Sequence, residues 1–469
     1  MHGRRFDARR TLDLALAIAL ALSLLAALVG SASADSAAPG ITVCPSCPTS
    51  SIVEALAQVP AGGRITVRAG VYRGQLRIDR PVQLVGIGDP VIDGGDQGTV
   101  VTISAPDVTL QGFTVRGTGT SLDHEDAAIA ANGERATLAG NRIEDALFGI
   151  YLRNAHGSVL RDNTVSGKEA LPVGFRGDPI RIWYSNNVDV EGNVARGGRD
   201  IILWFSHDGV LRDNVFEGNR YGLHLMYSDR AQIEGNSLRD NSAGLYIMYS
   251  NGCVVSGNSL TDNHGPSGMG LGLKGDDDAM VQGNRFVSNR IGAQIDESPH
   301  SLTAHVTITG NVFAHNDTGI GFLPNVERNT VAGNDFIDNV EQVAILGGGQ
   351  LHDISWTVNG RGNYWSDYVG FDANGDGIGD VSYRAQHLFE SLIDNHESLR
   401  IFLFSPAVTA IDFAARAFPE VRPQTKLVDT APLIRPVVPP GLVPGPRLAI
   451  RTRLVGGRSA FSRRSEAWQ

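Results

Sequence analysis

The chain is poor in cysteine, in aromatic residues and in charge. Three cysteines in 469 residues exclude a disulfide-stapled scaffold or a multi-zinc module, and a chain this long can bury a core without them. Charged residues make up 19% and the formal balance is −10. That argues against nucleic acid as a partner, because phosphate recognition needs a cationic surface. No G-x-x-x-x-G-K-[ST] segment is present, so nucleotide hydrolysis is not expected of this chain. After the N-terminal region there is no second apolar run of spanning length. What is abundant is glycine, 56 residues, well above the usual ~7%. Hydrophobic residues reach 42%, too many for a disordered chain.

The N-terminus reads as a targeting segment. Arg4, Arg5, Arg9 and Arg10 precede an apolar run that ends at Val29, and Ser31-Ala-Ser-Ala34 stands before Asp35. This is the order of a secretory signal with a small-residue cleavage site, covering residues 1–34. The competing reading is an uncleaved anchor. Either way the remainder is expected to be exported.

An internal repeat fills the middle. Asn141, Asn163, Asn193, Asn214, Asn236, Asn258, Asn284, Asn311, Asn334 and Asn363 each stand in a Gly/Asp-Asn phrase, about one every 22 residues in the most regular stretch. Each unit contains short alternating runs broken by Gly, Asn and Asp, which read as strands and turns. Three short strands per unit fit an all-β fold, a right-handed parallel β-helix over residues 64–368. The repeated Asn is expected to take the left-handed bend between strands and to bond the Asn one rung along. Leucine-rich repeats lack their Leu scaffold here, and a propeller needs a longer period. Residues 35–63 read as an N-terminal cap: Ser51 with Glu54 three residues on opens the amphipathic segment "IVEALAQVP".

Alternation assigns the outward faces. In "GLHLMYS", Leu223 and Leu225 point inward, His224 and Met226 outward. Aligning the units gives one outer column of Arg153, Trp183, Trp204, Met226, Met248 and Lys274. A second holds Tyr151, Arg181, Ile202, His224, Tyr246 and Gly272. Apolar residues on a solvent-facing strand need an explanation. One is cover by a loop or by the C-terminal segment. Another is a docking surface through Trp183 and Trp204. A third is a soft-metal site at His224, Met226 and Met248, since thioether and imidazole suit Cu(I) better than Zn, Ca or Mg.

Three further motifs leave alternatives open. Cys44-Pro-Ser-Cys47 is a disulfide, a soft-metal pair or a redox dithiol, whereas Cys253 aligns with inward Ala231 and reads as core. Asp372-Ala-Asn374-Gly-Asp376-Gly-Ile-Gly-Asp380 has the alternate oxygens of a calcium loop without the twelfth-position Glu, or is an Asx-bonded turn. Asp276-Asp277-Asp278 after Lys274 is a weaker acidic cluster. The loop His264–Met269 either adds soft ligands near Met248 or is only a flexible loop.

Residues 369–400 are expected to close the solenoid. Residues 401–436 form an extension with a helix from Pro406, whose apolar face of Phe413, Ala414, Ala417 and Phe418 should dock on the helix end, a partner or a membrane surface. The Pro/Gly/Arg-rich tail, 437–469, reads as disordered.

Together "GLHLMYS", "GLYIMYS", "GNYWSDY", "FDANGDGIGD" and "SPAVTAIDFAARAF" resemble the NosD family, across roughly residues 40–436. The resemblance implies a periplasmic, non-enzymatic accessory protein. It would act with an ABC-type ATPase and permease and a copper-chaperone lipoprotein to assemble the copper centre of nitrous oxide reductase. It also implies transient copper handling at His224, Met226 and Met248, and permease contact through the C-terminal helix. A copper role for Cys44 and Cys47 does not follow from it. The rival classes are a carbohydrate-binding protein, polysaccharide lyase, hydrolase or epimerase on the same fold, and a pure adhesion scaffold. A lyase would draw on Asp276, Asp277, Asp278 and Lys274.

Overall fold

The repeat closes into rungs because every unit bends three times. In one rung Val210–Arg212, Val215–Glu217 and Tyr221–Met226 are strands, and the next repeats them as Gln232–Glu234, Ser237–Arg239 and Ala243–Met248. Equivalent strands of successive rungs pair in parallel, giving sheets of 14, 13 and 12 strands, here sheets 1, 2 and 3 in the order a rung visits them. The computed structural model describes residues 40–386, 388–402, 405–417 and 425–437; the leader, Phe418 and residues 438–469 lie outside them. The expected parallel β-helix is therefore what the chain forms.

The corners of the middle rungs follow one rule. A residue with positive φ turns the chain, and the residue after it buries a polar side chain that bonds the same position one rung on. Asp213 (φ 55°) precedes Asn214 at the first corner, and Tyr227 (φ 52°) precedes Ser228 at the third. The bend is thus carried by the residue before the repeated Asn, not by the Asn. The Asn is occupied instead with hydrogen bonds: Asn214 donates its backbone N–H and its Nδ2 to Asn236 Oδ1, at 3.0 and 2.9 Å. Its Nδ2 also donates to the Val190 carbonyl at 2.9 Å. A second ladder runs through Asn219, Asn241, Asn263, Asn289, Asn316 and Asn339. A third runs through Ser185, Ser206, Ser228, Ser250, Asp276 and Ser298. These ladders pair the corner amides that leave the sheets, which buried backbone requires.

Inward Val, Leu and Ile fill the bore, and towards the C-terminal end the filling becomes a ring stack of Phe286, Phe313, Phe336, Trp365 and Tyr383. At the N-terminal end the helix Ile52–Gln58 begins where expected, Ser51 accepting from the Glu54 N–H at 3.4 Å. Sheet 1 starts earlier than expected, because Ile41–Val43 pairs with Ile65–Val67.

The C-terminal end is closed not by residues 369–400 alone but by them together with the part of the extension that follows its helix. Leu427–Asp429 pairs antiparallel with Tyr383–Ala385. Asp429, wholly buried, takes the place of the next Asn: it accepts from Asn363 N at 2.7 Å and from Trp365 Nε1 at 2.9 Å. Lys426 has its side chain 3% exposed among Glu341, Glu390 and Asp394. Between these anchors the helices Leu388–Asn395 and Pro406–Ala417 form an excursion from the solenoid end.

Candidate functional site

Sheet 3 has the longest strands of the three, up to six residues, and its outer face carries the two columns read from the sequence. The register places Arg153, Trp183, Trp204, Met226, Met248 and Lys274 side by side, and Tyr151, Arg181, Ile202, His224, Tyr246 and Gly272 beside them. Leu223 and Leu225 face the bore, fully buried.

His224 lies on the outer face yet is only 7% exposed. Tyr221, Tyr246 and Trp204 surround its ring at centroid distances of 5.0, 5.8 and 6.4 Å. Its Nε2 is 3.4 Å from Met248 Sδ, and Nδ1 is buried with no hydrogen-bond partner among the described residues. Burial pulls the imidazole down to about 4, with Arg220 adding to the effect and Asp200 opposing it. The ring is therefore neutral at physiological pH, the form that ligates metal. The same apolar walls push the Tyr246 hydroxyl up to about 12. Around this patch the charges are paired, Arg220 with Asp200 and Arg199 with Asp178.

The donor set fits a soft cation. With metal–nitrogen and metal–sulfur bonds of roughly 2.0 and 2.3 Å, a 3.4 Å N···S separation subtends about 105°, near tetrahedral. Met226 neighbours Met248 in register and follows His224 by two residues on the same strand. Met269 does not join the set: it packs over Gly272 against Tyr246, where a Cβ on Gly272 would come 2.6 Å from its sulfur. His264 is exposed on its loop.

Trp183 and Trp204 are partly buried by cations. Arg181 lies over both rings, at 5.3 and 5.8 Å, and Arg153 over Trp183 at 5.3 Å. Both indole N–H groups are buried without a hydrogen-bond partner among the described residues. Beside this column runs a feature the sequence reading missed. Tyr184, Phe205, Tyr227 and Tyr249 are each in the left-handed region, exposed by 36% to 46%, and stacked at 4.9, 5.2 and 5.3 Å. Bulky residues rarely occupy that conformation. Gly275 ends the ladder, since a Cβ there would meet Tyr249 at 2.8 Å. The recurring aromatic-Ser phrase was the available signal, but nothing in it marks positive φ.

The other candidate residues are not brought to this face. Cys44 and Cys47 are joined as a disulfide at the N-terminal end, so the bonded pair offers no thiolate to copper. Cys253 is core, its thiol pushed up to about 12 by burial. In the 372–380 loop the Asx-bonded turn is the arrangement present. Asp372 accepts from Gly375 and Gly377, Asn374 from Asp376, Asp376 from Ile378 and Asp380 from Ala373. The oxygens are used by the turn itself, and among the described residues no group of three or more His, Cys, Asp or Glu is placed to hold a metal. The acidic run is also dispersed. Asp276 is buried in the Ser ladder, Asp277 binds the His300 and Ser301 amides, and Asp278 binds that of His305. Lys274 pairs with Asp296 at 2.6 Å. The side chains a lyase would need are thus each engaged in structural bonds. Phe413 on the helix Pro406–Ala417 is 73% exposed. No helix among the described residues is long and apolar enough to cross a membrane.

Comparison with known proteins adds the family. A family model described as "Periplasmic copper-binding protein (NosD)" matches residues 167–370, which include the whole His-Met patch. The chain is 33% identical over 427 residues to the "Probable ABC transporter binding protein NosD" of Pseudomonas aeruginosa, covering 80% of this chain and 88% of that protein. It is 29% identical over 396 residues to the protein of the same name from Stutzerimonas stutzeri, covering 78% and 86%. Among solved structures, the A-module of mannuronan C-5 epimerase AlgE4 from Azotobacter vinelandii superposes with a TM-score of 0.51 at 18% identity, over 62% of this chain and 91% of that one. At that identity the likeness concerns the β-helix alone. With a relative one-third identical across four-fifths of its length, this chain belongs to the NosD family of periplasmic copper-binding proteins.

Proposed function

We propose that the protein is a non-enzymatic periplasmic accessory factor in the maturation of nitrous oxide reductase, and that it handles copper at His224, Met226 and Met248. The observation that carries the reading is the 3.4 Å approach of His224 Nε2 to Met248 Sδ, with Met226 in register beside it. A neutral imidazole and two thioethers suit a soft monovalent ion. Two or three such ligands hold copper only transiently, which fits a protein that receives and passes it on. The relatives' names, as probable ABC transporter binding proteins, support action beside an ABC-type ATPase and permease. ATP would be hydrolysed there, since this chain has no phosphate-binding loop. In this reading a copper-chaperone lipoprotein meets the outer face of sheet 3, at Trp183 and Trp204. The exposed face of the helix Pro406–Ala417 meets the permease through Phe413 and the adjoining Phe418. Export by the N-terminal leader would place the chain where these partners act.

The test is anaerobic Cu(I) titration against a competing chelator. Loss of binding in His224→Ala/Met226→Ala/Met248→Ala, with Cys44→Ser/Cys47→Ser unaffected, is the expected result. Loss only in the cysteine variant would move the site to the N-terminus. No binding by the wild type, alone or with its transporter partners, would refute the copper reading.

A further inference from the structure

Resting on that reading, we infer that Trp204 forms a wall of the soft-metal site, its indole face lying against a monovalent d10 cation held by His224, Met226 and Met248. Trp204 is the register neighbour of Met226, and its ring lies 6.4 Å from that of His224, with the planes at 79°. Its ring is already anchored from the preceding rung: Arg181 lies 5.8 Å from its centroid, and that guanidinium is neutralised by Glu125 at 3.2 Å and Asp178 at 3.9 Å. The following rung presents Met226 in register beside Trp204 and His224 with Tyr221 against it, and Met248 follows one rung further.

An indole is an odd choice for mere filling at this position. Its N–H is buried without a hydrogen-bond partner among the described residues, whereas buried tryptophans normally find one. Phe or Leu would cover the same sheet without stranding a donor. What an indole offers that they do not is the strongest π face for a cation. The ligands are all neutral, so a bound monovalent ion keeps its full charge, and a quadrupole beside it stabilises that charge while keeping water away. A divalent, oxygen-seeking ion gains far less from such walls. Trp204 is thereby a specificity residue for charge and softness. Trp183, one rung further, has Arg153, Arg181 and Tyr184 against it and no thioether beside it.

The test uses the full chain and Ag(I), a redox-inert monovalent d10 ion, followed by tryptophan emission and by competition for affinity. The wild type should show quenching that saturates at one equivalent, with no response to Zn(II). Trp204→Phe should lose the quenching and bind several-fold more weakly, and Trp204→Leu about tenfold more weakly. Trp183→Phe should keep both affinity and quenching. Circular dichroism identifies any variant that fails to fold, and Trp204→Phe retains a ring for that purpose. Wild-type affinity in Trp204→Leu, or quenching that survives in Trp204→Phe, would overturn the inference while leaving the metal site standing. Binding that persists in His224→Ala/Met226→Ala/Met248→Ala, or is absent from the wild type, would instead overturn the site, and the inference with it.

Discussion

Replacing Asp429 by Ala should open the C-terminal end of the solenoid. The carboxylate is wholly buried and accepts from Asn363 N at 2.7 Å, Trp365 Nε1 at 2.9 Å, Thr357 Oγ1 at 3.0 Å and Ala431 N at 3.1 Å. Thr357 has a second partner in Thr430 Oγ1 at 3.2 Å, so three donors are left stranded. A buried donor without an acceptor costs about 1–3 kcal/mol. The sum is about 3–9 kcal/mol, with the lower end applying if water enters the vacated space. In a stacked solenoid each rung touches only its neighbours, so the loss stays local. The assay is amide hydrogen exchange. At 1.4 kcal/mol per factor of ten, exchange at residues 357–366 should accelerate by at least about a hundredfold, while the middle rungs around Asn236 keep their protection. Asp429→Asn keeps the shape and one acceptor, and should fall between the two. Unchanged protection at 357–366, or loss spread evenly along the ladder, would refute the idea that Asp429 terminates the Asn ladder.

Three other expectations follow from the same geometry. The imidazole of His224 titrates near 6.5 in the unfolded chain but near 4 when folded, so between those pH values the unfolded state binds more protons. Its contribution to stability is constant above about pH 7 and falls as pH drops from 6.5 to 4, by about 3 kcal/mol in all. Urea unfolding of wild type and His224→Asn across this range measures it, and parallel pH curves would refute it. Calcium chelation should leave Tm within about 1 °C, because the oxygens of Asp372, Asn374, Asp376 and Asp380 serve their own turn; a rise of several degrees on adding calcium in calorimetry would contradict this. Lys426→Met should destabilise the C-terminal end by about 3–5 kcal/mol, because it leaves Glu341 and Asp394 buried without their cation; early proteolysis of residues 388–417 is the readout, and wild-type resistance would count against it.

The sequence by itself determined the rung, its three strands and the outward columns. The reason is that a short period and strict alternation leave little freedom: once Asn214, Asn236 and Asn258 are aligned, Met226 and Met248 must be neighbours and Leu223 and Leu225 must face inward. The capping role of Ser51 and the core position of Cys253 were legible for the same local reason. Tertiary structure alone decided what depends on distant chain or on a backbone angle that composition does not report. The Ser ladder was hidden because Ser is common in any turn. Tyr184, Phe205, Tyr227 and Tyr249 were hidden because a left-handed aromatic goes against the ordinary preference, and the stack around it is what holds it there. Burial of His224 comes from rings on three strands, and that burial keeps the imidazole neutral. The closing role of Lys426 and Asp429 spans more than sixty residues from the Asn ladder's end and 85 from Glu341. Contacts of that reach are set by where the folded chain returns, which no local pattern encodes.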